Sequence, residues 1–279
     1  MKFLRVGEQG LEKPAVLDKN NIIRDLSDYI NDFDPQTINF ENLKKIRNIN
    51  LESLPKINSD IRIGSCVNKP SNIICIGLNY ALHASQTNSK LPKYPIVFNK
   101  SPDCLQGPND PIRKKVYQEK LDYEVEVALC IGKRAKNISE KDAQNYVFGY
   151  FILNDISERH AQKVIGNGHW FLGKSSAAPA GGILVTTDEI KDINNLNLSL
   201  SVNGEERQRG NTKDMIFGFN FLVSHISKYV ELFPGTIIST GTPSGTGMEQ
   251  NPPKFLKIGD KISLKVDFLG QQNQTVISD

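Results

Sequence analysis

Two glutamates stand two residues apart in the segment KLDYEVEVALCIG (residues 120–132), which has the pattern of a β-strand. Side chains alternate along a strand, so Glu124 and Glu126 are predicted to share one face, roughly 6.5 Å apart along the chain. Carboxylates this close repel each other, and burying even one unpaired carboxylate costs several kcal/mol. The pair therefore needs a partner, which could be a basic side chain, a shared proton or a metal ion.

A third carboxylate follows another apolar run, YFILND, which ends at Asp155. At the end of a strand, this side chain can point into the same pocket as the two glutamates. Three carboxylates without cysteine or a paired-histidine pattern form a hard-oxygen ligand set, which suits Mg²⁺, Mn²⁺ or Ca²⁺ and argues against zinc. An ion-pair network with lysine and arginine is the alternative, and the residues alone do not choose between the two.

The elements that would position these carboxylates are mostly strands. From residue 72 onward, short alternating and apolar runs predominate, and Asn203-Gly204 between two of them predicts a hairpin with a type I′ turn. The sequence predicts a β-rich α+β protein, with a small N-terminal α/β domain at 1–68 and a larger domain at 69–279.

Helices are expected to be few. Ser139 and Asp142 resemble an acidic capping box, which predicts a short helix ended by Gly149. A second helix is predicted from about residue 212 to 233, where apolar residues recur near the helical period.

One motif is misleading. The segment GHWFLGKS (168–175) satisfies the nucleotide-binding P-loop pattern letter by letter. That loop needs an apolar strand before it and a helix after it, whereas polar residues precede this segment and Pro179 follows it. We therefore do not predict nucleotide binding here.

Composition excludes several classes of protein. The 279 residues carry 34 basic and 31 acidic side chains, giving a net charge of +3, and no basic stripe with interleaved aromatic residues is present. Nucleic-acid binding is therefore not predicted. Membrane insertion is not predicted either, because no run approaches 18 apolar residues. The four cysteines form no C-x-x-C pair and are interpreted as reduced packing residues in a soluble, cytoplasmic protein.

Seven separate segments, taken in order, closely resemble the fumarylacetoacetate hydrolase family. They are ICIGLNYALHASQ, YPIVFNKSPDCLQGPNDPI, KLDYEVEVALCIGKRAKNISEKDA, GYFILNDISER, HWFLGKSSA, LSVNGEERQRGNTKDMIF and PGTIISTGTPSGTGM. The resemblance covers about residues 70–275. A weaker similarity at the start of the chain is to the small N-terminal domain of the bacterial branch that contains 2,4-diketo-3-deoxy-sugar-acid hydrolases and proteins similar to ureidoglycolate lyase.

The resemblance implies a mixed β-roll, a homodimer, and a Mg²⁺ or Mn²⁺ site formed by Glu124, Glu126 and Asp155. It also implies His83 as general base and two lysines that stabilise negative charge, Lys100 and Lys174. The residues that it implies for substrate binding are Asn79, Tyr80, Trp170, Gly241 and Thr242.

Two positions depart from the family pattern. Hydrolytic relatives place a glutamate three residues after the histidine, where this chain has Gln86, and an acid often follows the motif G-K-S-x, where this chain has Ala177. An amide can hydrogen-bond the imidazole of His83 but supplies no charge to stabilise its protonated form. The metal chemistry is therefore expected to be intact, and water activation is expected to be weaker.

The family acts on 2-oxo acids, so the expected substrate is a small acylpyruvate or 2,4-diketo sugar acid. Hydrolysis of a carbon-carbon bond is the first hypothesis. The alternatives are a metal-dependent decarboxylase, lyase or tautomerase of an oxaloacetate-like acid, which needs no hydroxide, and a catalytically silent relative that binds a metal and a metabolite.

Overall fold

The computed structural model describes residues 1–81, 91–165 and 170–279. The α-helices in these ranges are α1 (Phe40–Arg47), α2 (Arg159–Lys163), α3 (Trp170–Lys174) and α4 (Phe219–Ser227). The strands are β1 (Lys2–Val6), β2 (Lys13–Leu17), β3 (Ile23–Asp25), β4 (Ile73–Gly77), β5 (Ile96–Lys100), β6 (Leu105–Gln106), β7 (Ile112–Lys114), β8 (Leu121–Asp122), β9 (Val125–Ile131), β10 (Val147–Asn154), β11 (Ser157–Glu158), β12 (Ala178–Pro179), β13 (Leu184–Thr186), β14 (Asn197–Val202), β15 (Glu205–Asn211), β16 (Ile237–Ser239), β17 (Lys261–Val266) and β18 (Gly270–Ser278). The β-rich α+β class is confirmed.

Two sheets organise the molecule. One has nine strands in the order β3-β2-β1-β13-β10-β9-β16-β4-β5, and the other has five in the order β15-β14-β17-β18-β7. Strand β9 is central to the first sheet, with β10 antiparallel on one side and β16 antiparallel on the other. Because both faces of β9 are covered, all of its residues are buried.

Alternate side chains of β9 enter two different cores. One core includes Val125, Val127, Leu129 and Ile131 together with apolar residues of β14, β17 and α4. The other includes Ala128 and Cys130 together with apolar residues of β1 and α1. Glu126 has the same parity as Ala128, so its carboxylate is on the face opposite the valines.

The hairpin predicted at Asn203-Gly204 is confirmed. Strands β14 and β15 pair antiparallel across it, and the two turn residues have φ of 52° and 81°. Both values are positive, as a type I′ turn requires, which explains why asparagine and glycine occupy the turn.

The predicted helix boundaries were wrong in both places. The first helix is a 3₁₀ segment, Glu140–Tyr146, and Gly149 lies inside β10, where a Cβ would be 2.4 Å from the Val185 carbonyl oxygen. Close approach of a neighbouring strand, rather than helix termination, requires this glycine.

The predicted helix at 212–233 is much shorter than expected. The α-helix covers only Phe219–Ser227, after a separate 3₁₀ turn at Thr212–Asp214. The chain is extended again by Leu232, which forms a β-bridge with Ala135, and this tertiary pairing overrides the local periodicity.

The N-terminal strands extend the large sheet. Strand β1 pairs antiparallel with β13. Arg62 makes a bidentate salt bridge to Asp110, with Nε 2.8 Å from Oδ1 and Nη2 2.6 Å from Oδ2. The division into domains at 1–68 and 69–279 stays a prediction, but the first three strands share a continuous sheet with the rest. In the part of the chain that the structure describes, no helix has the length and apolar character to cross a membrane.

Candidate metal and substrate site

Three buried carboxylates converge at the junction of β9 and β10. Glu124 immediately precedes β9, Glu126 lies within it, and Asp155 immediately follows β10. Because these strands are antiparallel, with Asn154 opposite Val125, the start of one lies beside the end of the other. One oxygen from each carboxylate lies within 4.8 Å of the others.

Two buried lysines contact this cluster. The Nζ atom of Lys174, in α3, donates to Glu124 Oε2 at 2.5 Å, to Asp155 Oδ2 at 3.1 Å and to Ser157 Oγ at 2.6 Å. The Nζ atom of Lys100, at the end of β5, donates to Asp155 Oδ1 at 2.7 Å and to the Lys174 carbonyl oxygen. Neither lysine is the exposed surface residue that its type would suggest.

A buried arginine also contacts the cluster, and sequence reasoning missed it. Arg159 Nη2 donates to Glu124 Oε1 at 2.5 Å, its Nη1 donates to Gln162 Oε1 at 3.0 Å, and its Nε donates to Asp122 Oδ2 at 2.8 Å. The available signal was the position of this basic residue shortly after the strand-end aspartate, at the start of α2.

The two glutamates have opposite electrostatic environments. Burial alone would raise the pKa of Glu124, but the charges of Arg159 and Lys174 outweigh it and hold that pKa well below the usual range. Burial, followed by repulsion from Asp155 and Glu124, raises the pKa of Glu126 to about 8.

The hydrogen bonds of Glu126 do not replace a cation. Its Oε2 accepts a hydrogen bond from Ser239 Oγ at 2.5 Å and another from the Gly241 N–H at 2.9 Å. Among the described residues, no lysine or arginine forms a salt bridge with it. A buried carboxylate beside two others is therefore short of positive charge.

The donor set fits a divalent metal ion. Each carboxylate has about four lone-pair sites, so the hydrogen bonds from Lys174 and Lys100 leave oxygen lone pairs for a cation. Three carboxylate oxygens are the ligands that Mg²⁺, Mn²⁺ and Ca²⁺ prefer. The ligands available for such an ion are Glu124, Glu126 and Asp155.

A cavity of about 130 Å³ opens beside the cluster. Glu124, Glu126, Arg159, Gln162 and Lys174 line its polar part, and Ile76, Phe98, Trp170, Thr242 and Met248 are also in its wall. The rings of Phe98 and Trp170 meet edge to face, with centroids 5.4 Å apart. The cavity therefore combines charged groups with an aromatic wall, as small-molecule sites commonly do.

The residues expected to bind substrate differ in their positions. Trp170 and Thr242 line the cavity, but the Thr242 hydroxyl donates to the Val125 carbonyl oxygen at 2.9 Å and accepts from Gln208 Nε2 at 2.8 Å. The hydroxyl proton of Thr242 is therefore already used in a hydrogen bond within the protein. Any contact of Thr242 with substrate would therefore use its other atoms or require this bond to break.

The other three expected substrate-binding residues do not line this cavity. Asn79 is fully buried, and its amide bonds the backbone of Phe217 and Thr240. Gly241 has φ of +97° and donates its N–H to Glu126, while the buried Tyr80 hydroxyl has no hydrogen-bond partner among the described residues. The predicted base His83 and its neighbour Gln86 lie outside the described residues. Ala177 packs against the apolar core.

Residues 72–277 match the family model described as fumarylacetoacetate (FAA) hydrolase C-terminal. The chain belongs to the fumarylacetoacetate hydrolase family. Its sequence is 42% identical over 278 residues to a Burkholderia ambifaria protein whose name assigns it provisionally to the hydrolases. That similarity covers 99% of this chain and 98% of the relative.

Two solved structures extend the comparison. Fumarylacetoacetate hydrolase from Exiguobacterium antarcticum has a TM-score of 0.86 and 30% identity, with complete coverage of both chains. Maleylpyruvate hydrolase from Sphingobium sp. SYK-6, solved with manganese(II) and pyruvate, has a TM-score of 0.83 and 25% identity, covering 100% of this chain and 99% of that chain. The family is thus one of enzymes, and the β-roll architecture expected from the sequence is confirmed.

Proposed function

We propose that this family member is a divalent-metal-dependent enzyme that hydrolyses a carbon-carbon bond in a small 2-oxo acid, either an acylpyruvate or a 2,4-diketo sugar acid. The observation that carries the proposal is the convergence of Glu124, Glu126 and Asp155, in which Glu126 makes no salt bridge with any described residue. The similarity to a maleylpyruvate hydrolase solved with manganese and pyruvate supports Mn²⁺, and the three carboxylate ligands also suit Mg²⁺ and Ca²⁺.

A bound divalent cation supplies a Lewis acid that withdraws electron density from the carboxylate and keto oxygens of a 2-oxo acid. The ammonium group of Lys174 lies at the edge of the same cavity and can stabilise negative charge that develops on the substrate. Lys100 positions the site from outside the cavity, because its Nζ donates hydrogen bonds to Asp155 and to the Lys174 carbonyl oxygen. Phe98 and Trp170 form an aromatic wall on one side of the cavity.

His83 remains our proposed general base, and this role rests on the sequence resemblance. Gln86 in place of the usual glutamate favours the second candidate, a decarboxylase, lyase or tautomerase that needs the cation but no activated water. The third candidate is a silent relative that binds a metal and a metabolite without turnover.

Metal dependence separates the enzymatic candidates from the silent one. Protein stripped of metal with a chelator should no longer consume substrate, and adding Mg²⁺ or Mn²⁺ should restore its activity. The Glu126→Gln variant should recover less activity. Products then separate the enzymes, because hydrolysis gives a carboxylic acid and a 2-oxo acid, whereas the alternatives give CO₂ or an isomer. Absence of turnover with every 2-oxo acid tested would contradict both enzymatic candidates.

The Gln86→Glu variant tests the departure from the family pattern. Restoring the charge should raise acylpyruvate hydrolysis by some part of the roughly 10²- to 10⁴-fold that acid-base catalysis supplies, and should change oxaloacetate decarboxylation little. His83→Ala is the control for whether the histidine acts at all. If the wild-type protein already hydrolyses an acylpyruvate rapidly and Gln86→Glu leaves that rate unchanged, Gln86 does not limit the activity of His83 as a base.

We further propose a homodimer that works in the cytoplasm. All four cysteines are free, as expected in a reducing compartment. Tyr94 and Tyr229 are exposed and flank the half-buried His225, with ring centroids 6.2 and 5.3 Å from it, and this aromatic row supports a contact surface for a second copy. A single-protomer mass by light scattering at micromolar concentration would contradict the dimer.

A further inference from the structure

Asp122 is a buried carboxylate that takes no part in the chemistry proposed above. Its side chain is fully inaccessible, and it lies two residues before Glu124 at the end of β8. Oδ1 accepts the N–H groups of Tyr123 at 2.9 Å and Gly247 at 2.6 Å. Oδ2 accepts the N–H of Met248 at 3.2 Å and Nε of Arg159 at 2.8 Å. Four donors thus converge on one carboxylate.

Two of these partners, Arg159 and Met248, line the cavity. Arg159 continues to Glu124, with Nη2 2.5 Å from Oε1, so one side of Asp122 fixes the arginine that contacts a proposed metal ligand. Met248 lies in a 3₁₀ turn (Gly247–Glu249), and the N–H groups of Gly247 and Met248 tie this turn to Asp122. One carboxylate therefore ties a wall of the cavity to its metal-binding end.

Gly247 shows that this contact is built into the chain. A Cβ at this position would lie 2.3 Å from the Lys254 carbonyl oxygen and 2.7 Å from Asp122 Oδ1. Only glycine lets the turn approach Asp122 closely enough for its N–H to donate at 2.6 Å.

We propose that Asp122 is a positioning residue, which acts through Arg159 to orient Glu124 for the metal ion and through Gly247 and Met248 to keep the cavity wall closed. The first function rests on the proposed metal site, and the second does not. Partners of this kind, one step removed from an ion, typically change its affinity 10- to 100-fold when they are lost.

Asp122→Asn tests the proposal with little change of shape. An asparagine has one acceptor oxygen, and each side of the present carboxylate faces two donors, so either orientation of the amide directs its NH₂ group at donors. The bonds to Arg159 or to the Gly247 turn must break. We expect Mn²⁺ affinity, measured by calorimetry, to fall about 10- to 100-fold.

The chain contains a matched control at Asp18. This buried aspartate also accepts two backbone N–H groups, from Asn20 and Ile22, and an arginine Nε, that of Arg24 at 2.8 Å, but none of these residues lines the cavity. Asp18→Asn should leave Mn²⁺ affinity within about twofold, although both variants lose stability. Equal loss of affinity in the two variants would indicate general destabilisation and overturn the proposal.

A second background tests whether Asp122 acts through Arg159. In Arg159→Gln protein, adding Asp122→Asn should change Mn²⁺ affinity by less than about threefold, because the intermediary is already gone. Independent, fully additive losses would contradict this route from Asp122 to Glu124.

A metal-free readout separates this proposal from the proposed function. Trp170 is the sole tryptophan of the chain and lines the cavity, so its fluorescence reports on the wall. Asp122→Asn should increase quenching of Trp170 by acrylamide, and Asp18→Asn should not. If wild-type protein binds neither Mn²⁺ nor Mg²⁺, the proposed function is contradicted. The quenching measurement still tests whether Asp122 holds the cavity wall in place. Unchanged quenching would overturn that role.

Discussion

Replacing Glu126 with glutamine removes one titratable group from the acidic cluster and preserves its shape. The amide oxygen can still accept the hydrogen bonds from Ser239 and Gly241. In the folded protein, burial and then repulsion from Asp155 and Glu124 raise the pKa of Glu126 to about 8, while the Ser239 hydrogen bond and the charge of Lys174 partly oppose them. The stability of the metal-free protein should therefore depend on pH through this residue.

The sign follows from proton binding. The ordinary pKa of the group is 4.5, so between about pH 4.5 and 8 the folded protein holds a proton that the unfolded chain releases. The contribution of Glu126 to the free energy of unfolding is complete below this window and is lost as the pH rises through it. Since each pH unit corresponds to about 1.4 kcal/mol, the whole change is at most about 5 kcal/mol.

Urea unfolding of wild-type protein and Glu126→Gln, with a chelator present, measures this effect at about pH 5.5, 7 and 8.5. The variant should gain stability relative to wild type as the pH rises, by several kcal/mol over the range. Added Mn²⁺ should reverse the order at high pH, because only wild type keeps all three carboxylates and a bound ion stabilises the folded state.

Glu206→Gln is the control, because Glu206 is exposed and its hydrogen bond with Arg209 lowers its pKa instead of raising it. No gain in stability with rising pH should appear for that variant. A constant difference between Glu126→Gln and wild type across the pH range would mean that Glu126 is already ionised, and the electrostatic account would be refuted.

Three other perturbations test the framework of the site. Lys100→Met should cost about 3–5 kcal/mol in urea unfolding, because the buried carboxylate of Asp155 loses one of its cations. Gly149→Ala should cost about 3 kcal/mol or more, since its Cβ would lie 2.4 Å from the Val185 carbonyl oxygen, and a wild-type melting temperature would contradict this packing. A fragment of residues 69–279 should lack a cooperative thermal transition by circular dichroism, because it loses β1, the strand that pairs with β13, and a sharp transition would show that this fragment folds independently of the N-terminal segment.

Local rules account for the parts of the site that the sequence predicted. The period of two along a strand placed Glu124 and Glu126 on one face, and the end of an apolar run placed Asp155 near them. The hairpin at Asn203-Gly204 follows from the backbone angles that its turn demands. None of these inferences needed knowledge of a distant partner.

What the sequence did not predict depends on distant partners. Arg159 stands close to the strand-end aspartate in sequence, but its burial is possible only because Asp122 and Glu124 come from another segment to pair with it. Gly149 resembled a helix end, but the requirement comes from the strand that contains Val185. Likewise, periodicity identifies a strand near the N-terminus without indicating which strand it will join.

The pairing of β1 with β13 affects how the protein folds while it is being synthesised on the ribosome. These strands are about 180 residues apart in the chain, and ribosomes add roughly 5–20 residues per second, so β1 waits on the order of 10–40 s for its partner. During that interval Phe3 and Leu4, which are buried in the finished sheet, have no neighbour on that side. The first strands of each nascent chain are thus exposed to pairing with other chains, and we expect the yield of folded protein to fall when translation is slowed between β3 and β13 or when chaperones are scarce.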